Sequence, residues 1–255
     1  MISAVPAILF AIFIVMQGGL IFALGVIALG IVSLHELYTL MRRARPVDVA
    51  GFATLVALVL TALYGDRDQL PLVLALAFPL TFALAVARPR RDNVSWGVSA
   101  TLFGALWIGL AFAHAVLLRE LPHGGGLVLD VLAATFLGDT AAYFAGRAFG
   151  SRPLAPLISP NKTIEGLLGG IVGGTAAFWF FGLYQDWLSG TDALLMGFLL
   201  SLVAPIGDLF ESLLKRDLAA KDAGRLFGAH GGALDRLDAV FFTAVAGYYL
   251  ALVIL

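Results

Sequence analysis

Long apolar runs alternate with short polar segments along the whole chain. Most of these runs approach the length of about 20 residues that an α-helix needs to cross the hydrocarbon core of a bilayer. The run lengths predict about nine membrane spans, at residues 2–16, 18–40, 48–64, 70–88, 95–118, 126–149, 164–186, 191–214 and 234–255. Because backbone polar groups in lipid must be hydrogen-bonded within each segment, the pattern predicts an all-α, polytopic integral membrane protein.

The composition leaves little sequence for any other kind of domain. Of the 255 residues, 60% are hydrophobic and 13% are charged, and the mean hydropathy is +0.96. These values exclude a large soluble α/β domain. The sequence contains no Cys, which excludes a disulfide framework, a thiolate metal site and a Cys nucleophile. We expect membrane lipids around the chain and no nucleic-acid partner.

The distribution of basic residues predicts the orientation of the chain. With the N-terminus on the cytoplasmic side, the predicted spans place fourteen of the sixteen Lys and Arg residues on that side. The cytoplasmic set is Arg42, Arg43, Arg45, Arg88, Arg90, Arg91, Arg147, Arg152, Lys162, Lys215, Arg216, Lys221, Arg225 and Arg236, and the outer set is Arg67 and Arg119. We therefore predict a multi-pass protein of the inner (cytoplasmic) membrane, with residues 42–45, 88–92, 150–163 and 215–236 facing the cytoplasm.

Carboxylates inside the apolar spans need a separate explanation. In the eighth predicted span, Asp208, Glu211, Ser212 and Lys215 are spaced i, i+3, i+4 and i+7, so they share one face of a helix. Asp208 would lie roughly 10 Å deeper than Lys215, at 1.5 Å of rise per residue. A carboxylate at that depth is costly unless it is paired or faces a wet cavity, which makes it a functional-site hypothesis.

Two further predicted helix ends carry the same kind of charge. Asp235 and Asp238 are three residues apart at the start of the ninth span, and Asp139 lies near the end of the sixth, eight residues before Arg147. Carboxylates beside Lys and Arg suit a site for Mg²⁺ and polyphosphate, because Mg²⁺ takes one or two carboxylates plus phosphate oxygens and cations neutralise the remaining phosphate charge. Spacing alone leaves a structural ion-pair network equally open.

Two sequence blocks resemble a known family. The segment from Ser212 to Asp238, SLLKRDLAAKDAGRLFGAHGGALDRLD, is similar to the C-terminal signature of phosphatidate cytidylyltransferases (CDP-diacylglycerol synthases). The segments Gly138–Gly150, GDTAAYFAGRAFG, and Ser159–Gly166, SPNKTIEG, resemble the family's second conserved block, and GDLFES at 207–212 completes it. Upstream of about residue 135 the resemblance rests on the span pattern and on Glu36. Asn161 stands where the family often has Lys, which removes one cation.

The resemblance implies transfer of the CMP moiety of CTP to phosphatidate, giving CDP-diacylglycerol and pyrophosphate in phospholipid biosynthesis. It implies CTP and bilayer phosphatidate as partners, and Mg²⁺ as the cofactor, as one ion or two. The implied catalytic residues are Asp208, Ser212, Lys215, Arg216, Lys221, Asp235 and Arg236; the implied substrate-binding residues are Asn161, Lys162, His230, Gly231 and Gly232. Asp208 and Asp235 are the implied metal ligands, with Asp139 and Asp238 as further ligands or as supporting residues.

The resemblance also implies a division of labour within a single membrane domain, 1–255. Helices in 1–125 would form a scaffold, and helices and cytoplasmic loops in 126–255 would carry the catalytic site. Two other functions stay open: a CTP-dependent polyprenol or dolichol kinase, and an ion-coupled secondary transporter that uses intramembrane carboxylates. Against the transporter, the carboxylates gather at helix ends on one side and no inverted repeat is visible. A homodimer also stays open.

Overall fold

Ten α-helices and one β-hairpin make up the described part of the chain. The structure is a computed structural model and describes residues 4–89, 92–224 and 231–255. The helices are α1 (Ala4–Gln17), α2 (Gly19–Leu40), α3 (Asp48–Tyr64), α4 (Leu70–Val86), α5 (Val94–Gly104), α6 (Leu110–Glu120), α7 (Gly124–Phe149), α8 (Ile164–Gly182), α9 (Gly190–Asp217) and α10 (Leu234–Ile254). A π-helical turn, Ala105–Gly109, joins α5 to α6. The prediction of an all-α, polytopic membrane protein is confirmed.

Seven helical segments in the described ranges are long and apolar enough to cross a membrane. Helices α1 and α3 are apolar but shorter, at 14 and 17 residues. At 1.5 Å per residue they reach about 21 and 26 Å, against a hydrocarbon core of about 30 Å. The predicted span positions match these helices closely, but the count of nine stays a prediction.

The seventh predicted span was drawn too long. Helix α8 ends at Gly182 rather than at residue 186, and the chain then turns, with the N–H of Gln185 donating to the carbonyl of Gly182 at 3.0 Å. Gly182 packs closely at this point, since a Cβ on it would lie 3.1 Å from Cβ of Ala193. The Gln185 amide then donates to the buried carboxylate of Asp130 on α7. Hydropathy alone did not reveal this turn.

The chain divides into two compact units. The first contains residues 1–120 and 218–237, and the second contains residues 121–217 and 238–255. The core of the first unit lies where α2, α3 and the α5–α6 helix pack, and its fully buried side chains include Leu34, Leu55, Leu58 and Ile108. The predicted functional division at residue 125 concerns where the chemistry takes place, and it stays a prediction.

Helices α7 and α8 form the tightest contact of the second unit. Glycines of α8 face alanines of α7, and a Cβ at Gly169 or Gly173 would lie 2.3 Å from Cβ of Ala145 or Ala141. Small residues let helix backbones approach in lipid, as the Gly-rich sequence of this span predicts. Helix α9 also packs against α8, where a Cβ on Gly174 would lie 2.4 Å from Oγ of Ser201 and 2.9 Å from the carbonyl oxygen of Ala134 on α7.

The polar, Pro-rich segment after α7 contains a short hairpin that the sequence did not predict. Strand β1 (Pro153–Ala155) pairs antiparallel with β2 (Ser159–Thr163). Thr163 then caps α8 by accepting the N–H of Gly166 at 3.1 Å. Glu165 accepts the N–H groups of Ser151 and Arg152 at 3.1 and 3.2 Å, which holds the start of the hairpin against the first turn of α8.

Candidate functional site

Helix α9 presents the predicted polar face without interruption. The helix runs from Gly190 to Asp217 with Pro205 inside it. The Ser212 hydroxyl lies 3.5 Å from Oδ1 of Asp208, and Nζ of Lys215 lies 2.6 Å from Oε2 of Glu211. The Glu211 side chain is only 1% exposed and that of Lys215 is 15% exposed. The i, i+4 spacing therefore produces the shared face expected from the sequence.

The hairpin brings a cation to this face. Strand β2 carries Lys162, and its ammonium forms an ion pair with the Asp208 carboxylate. The side chains are partly exposed, at 26% for Lys162 and 33% for Asp208, although the Lys162 ammonium nitrogen itself is buried. Arg216 anchors the hairpin from α9, since its Nε donates to the carbonyl of Ile158 at 3.2 Å. Asn161, the neighbour of Lys162, is exposed.

Two more carboxylates lie within electrostatic range of Asp208. Asp139 on α7 interacts with Asp208 and Lys162. Asp238 interacts with Asp208, Glu211 and Asp139, and it is 9% exposed. Close packing makes the approach of Asp238 possible, because a Cβ on Gly207 would lie 2.6 Å from the Asp238 carbonyl oxygen.

These residues define the carboxylate–lysine cluster of the second unit: Asp139, Lys162, Asp208, Glu211, Lys215 and Asp238. Four carboxylates share this region with two ammonium groups, so the cluster favours an added cation. In the described ranges, no three His, Asp or Glu side chains are gathered closely enough to hold a metal ion by themselves. Mg²⁺ that takes one or two carboxylates and completes its coordination with phosphate oxygens and water needs no such group, and the magnesium site stays a prediction.

Asp235, the other predicted metal ligand, lies in the first unit. Its carboxylate accepts the N–H of Ala223 at 2.9 Å and the N–H of Gly232 at 2.8 Å. Gly231 adopts a positive φ of 83° beside it, a conformation that glycine tolerates best. The substrate-binding role implied for Gly231 and Gly232 stays a prediction. The structure shows that Asp235 organises this turn.

Glu36 is a further candidate, outside the predicted set of site residues. It is 7% exposed on α2, and its Oε2 accepts the N–H of Leu234 at 2.9 Å, across 198 residues of sequence. A Cβ on Gly224 or Gly232 would lie 2.1 or 2.3 Å from a Glu36 carboxylate oxygen. We call this set (Glu36, Gly224, Gly232 and Leu234) the Glu36 anchor. The signal available in the sequence was a lone carboxylate four residues before the end of an apolar run.

The remaining predicted site residues are cations and one His. Lys221 and Arg236 belong to the first unit and have exposed side chains. His230 lies outside the described residues, as do Arg90, Arg91 and Arg225 of the predicted cytoplasmic loops. The assigned catalytic, substrate and metal roles of all these residues stay predictions.

Comparison with known proteins identifies the family. The sequence profile of the cytidylyltransferase family matches residues 1–254. The chain is 31% identical over 252 residues to a protein from Staphylococcus epidermidis named phosphatidate cytidylyltransferase, with 94% of each chain covered. A phosphatidate cytidylyltransferase of Mycobacterium leprae is 40% identical over 164 residues, and the uncharacterised protein YnbB of Escherichia coli is 40% identical over 157 residues.

The extent of these matches differs between relatives. The aligned region is 64% and 60% of this chain for the M. leprae and E. coli proteins, and it is 53% of each relative. The chain thus spans about half the length of those two relatives and nearly all of the staphylococcal one. Since the family profile covers almost every residue and the motif blocks fall within it, the resemblance is confirmed, and the chain belongs to the cytidylyltransferase family.

Proposed function

We propose that this protein transfers the CMP moiety of CTP to phosphatidate and releases pyrophosphate, so that CDP-diacylglycerol forms in the membrane. The observation that carries the proposal is the carboxylate–lysine cluster within membrane helices of a cytidylyltransferase-family chain. The staphylococcal and mycobacterial relatives are named for this activity. Both substrates are anions, and one of them is a lipid, so a cluster that holds ammonium groups near the end of a membrane helix suits them.

The reaction needs positioning and charge stabilisation more than acid–base chemistry. A phosphatidate oxygen attacks the α-phosphorus of CTP, and the bond from that phosphorus to the oxygen bridging to the β-phosphorus breaks. The phosphatidate phosphate is already ionised, so no strong base is required. The protein must hold two anions in line and stabilise the leaving pyrophosphate. Lys162 and Lys215 supply ammonium groups for this purpose, and Ser212 supplies a hydroxyl donor beside Asp208.

The cluster also suits the proposed cofactor. Asp208 is the first candidate to hold Mg²⁺, with Asp139 and Asp238 next to it, because all three lie within electrostatic range of one another. When bound, the ion would neutralise phosphate charge and orient the phosphates. Lys162 then has a role of its own, since its ammonium can leave the Asp208 carboxylate and pair with a phosphate oxygen.

Labelled CTP distinguishes the proposed transfer from kinase activity. Purified protein in detergent micelles with phosphatidate and Mg²⁺ is given CTP labelled at the α-phosphate or, in a parallel reaction, at the γ-phosphate. Cytidylyl transfer puts the α label into lipid and the γ label into pyrophosphate. A kinase puts the γ label into lipid and leaves the α label in CDP. Polyprenol offered in place of phosphatidate is the substrate control. Label in polyprenol phosphate alone would overturn the proposal.

We also propose that the protein lies in the inner membrane with the cluster open to the cytoplasm, where CTP is found. The distribution of basic residues between the predicted spans supports this orientation. The chain has no native Cys, so single Ala219→Cys and Ser189→Cys variants report the two sides. In intact cells an impermeant thiol reagent is expected to label Ser189→Cys and to leave Ala219→Cys unlabelled. The reverse result would invert the orientation.

A further inference from the structure

A cavity lies in the first unit, and its lining includes no residue of the carboxylate–lysine cluster. It has a volume of about 670 Å³ and opens among the end of α2, the start of α3, the end of α4 and the start of α5. This volume is in the range of small-molecule binding sites. Three guanidinium groups line it, those of Arg42, Arg45 and Arg88, together with Asp48 and Asp92.

Two of the three arginines are fixed in place. Arg88 donates to the carbonyls of Arg45 and Pro46 at 3.0 and 2.7 Å, and it is half-buried. The guanidinium of Arg45 forms an ion pair with Asp92. These contacts hold both groups at the cavity wall, while two of the five Arg88 N–H donors are used.

Arg42 differs from its two neighbours. It is exposed, and within the described ranges its guanidinium has no hydrogen bond and no ion pair. The cavity lining thus carries three positive and two negative side chains, and one of the negative ones is already paired. An anion entering the cavity would meet Arg42 and the remaining donors of Arg88. A phosphate group matches the planar fork of a guanidinium.

We propose that this cavity binds the phosphate of an anionic phospholipid headgroup. Two observations favour a lipid over a free phosphate. The cavity lies at the ends of apolar helices, three of which belong to segments long enough to span the membrane, and the ends of such segments are where headgroups are expected. Its wall is also partly apolar, with Val47, Ala85 and Val94 beside the arginines, which suits the start of an acyl chain. The site is separate from the catalytic proposal and does not rest on it.

The test compares charge reversal at two adjacent positions. Arg42 lines the cavity and Arg43 does not, although both are exposed and lie in the same short 3₁₀ turn. Full-length Arg42→Glu, Arg43→Glu and unchanged protein are delipidated in detergent and titrated with phosphatidylglycerol or phosphatidylcholine, and bound lipid is counted by native mass spectrometry. Arg42→Glu is expected to bind phosphatidylglycerol at least about tenfold more weakly, the loss of one charge-assisted hydrogen bond to the phosphate. Arg43→Glu should match the unchanged protein.

A second measurement locates the lipid in the cavity. Thr39 lines the same cavity and is exposed, so a thiol introduced by Thr39→Cys can be alkylated in this Cys-free chain. Phosphatidylglycerol should slow that alkylation, and phosphatidylcholine and millimolar inorganic phosphate should not. Equal losses in Arg42→Glu and Arg43→Glu would reduce the effect to general surface charge and overturn the proposal. Protection by inorganic phosphate as strong as that by phosphatidylglycerol would overturn the lipid assignment.

Discussion

The two units hold their carboxylates in different ways. In the first unit, Glu36 and Asp235 accept backbone N–H groups from the segment that precedes and begins α10. In the second unit, Asp208 and Glu211 pair with the ammonium groups of Lys162 and Lys215. Both arrangements lower the cost of a carboxylate within an apolar helix. They differ in whether the partner can leave.

A backbone amide cannot leave without unfolding its segment, so the carboxylates of the first unit act on the shape of the chain. A Lys ammonium sits on a flexible stem and can exchange one anion for another. The partly exposed pair of Lys162 and Asp208 can therefore open to admit a phosphate and a cation, whereas the Glu36 anchor has no such freedom. We infer that the carboxylates of the first unit shape a segment, and that the Lys162–Asp208 pair of the second unit carries exchangeable charge.

The largest expected effect comes from neutralising Asp208. Asp208→Asn keeps the shape of the side chain and removes the charge that would attract both Lys162 and Mg²⁺. We expect turnover to fall by about 100- to 1,000-fold, as for other losses of transition-state charge stabilisation. The measurement is CDP-diacylglycerol formation at saturating Mg²⁺, with folding checked by thermal melting.

Asp192→Asn, at the other end of α9, is the matched control and should remain active. Asp235→Asn is also expected to abolish turnover. This variant distinguishes two causes of lost turnover. If the turn that Asp235 organises becomes disordered, proteolysis near residue 223 should become faster. If only a metal ligand is missing, proteolysis should not change. Near-normal rates for both Asp208→Asn and Asp235→Asn would show that the metal assignment is wrong.

Much of the fold was predictable because lipid imposes a simple rule on the backbone. The length of each apolar run determined the helix positions to within a few residues for most spans, and i, i+4 spacing placed Ser212 beside Asp208 and Lys215 beside Glu211. Such neighbours lie on one helix and depend on no tertiary contact. The motif blocks also correctly identified the family.

Contacts between distant segments were not predictable in this way. The β-hairpin that carries Lys162 to Asp208 depends on tertiary pairing in a segment that reads as a polar loop. The role of Glu36 depends on a hydrogen bond across 198 residues, which no local pattern encodes. The end of α8 at Gly182 was not predictable either, because the apolar run continues past this residue and a glycine inside such a run resembles the interior of a span.

Removing the Lys215 ammonium should destabilise the second unit. Glu211 is buried, and Lys215→Met leaves its carboxylate without the ion pair at 2.6 Å. Breaking a buried pair by removing one partner costs about 3–5 kcal/mol of unfolding free energy. Thermal melting in detergent should show a clear loss of stability. Lys215→Met combined with Glu211→Gln should restore much of it, because neither position then carries a buried charge without its partner. If the double variant also regains full turnover, Lys215 is a structural residue and does not bind substrate.

Truncating Glu36 should loosen the segment at 218–237 while leaving the helices intact. Glu36→Ala removes the acceptor of the Leu234 N–H, and an unsatisfied buried donor costs about 1–3 kcal/mol. We expect faster proteolysis within this segment and lower turnover. Glu36→Gln keeps an acceptor oxygen and should recover most of the protection. A Glu36→Ala variant with unchanged proteolysis would contradict the view that the anchor shapes this segment.

The smallest expected effect tests whether exposed cations of the first unit guide CTP. Lys221 is exposed on the segment beside Asp235, so its charge can attract a soluble polyanion without holding a fixed position in the reaction. Lys221→Glu should raise the KM for CTP about fivefold, roughly 1 kcal/mol, with little change in kcat or in the dependence on the surface mole fraction of phosphatidate. The effect should shrink as ionic strength rises, since screening weakens exposed charges most.

Asp222→Asn, at the next position, is the matched control and should not raise the KM for CTP. If Lys221→Glu weakened the dependence on CTP and the dependence on phosphatidate equally, and salt did not change the effect, Lys221 would belong to the reaction centre. The first unit would then take part in the reaction itself, and the distinction drawn between the two units would be wrong.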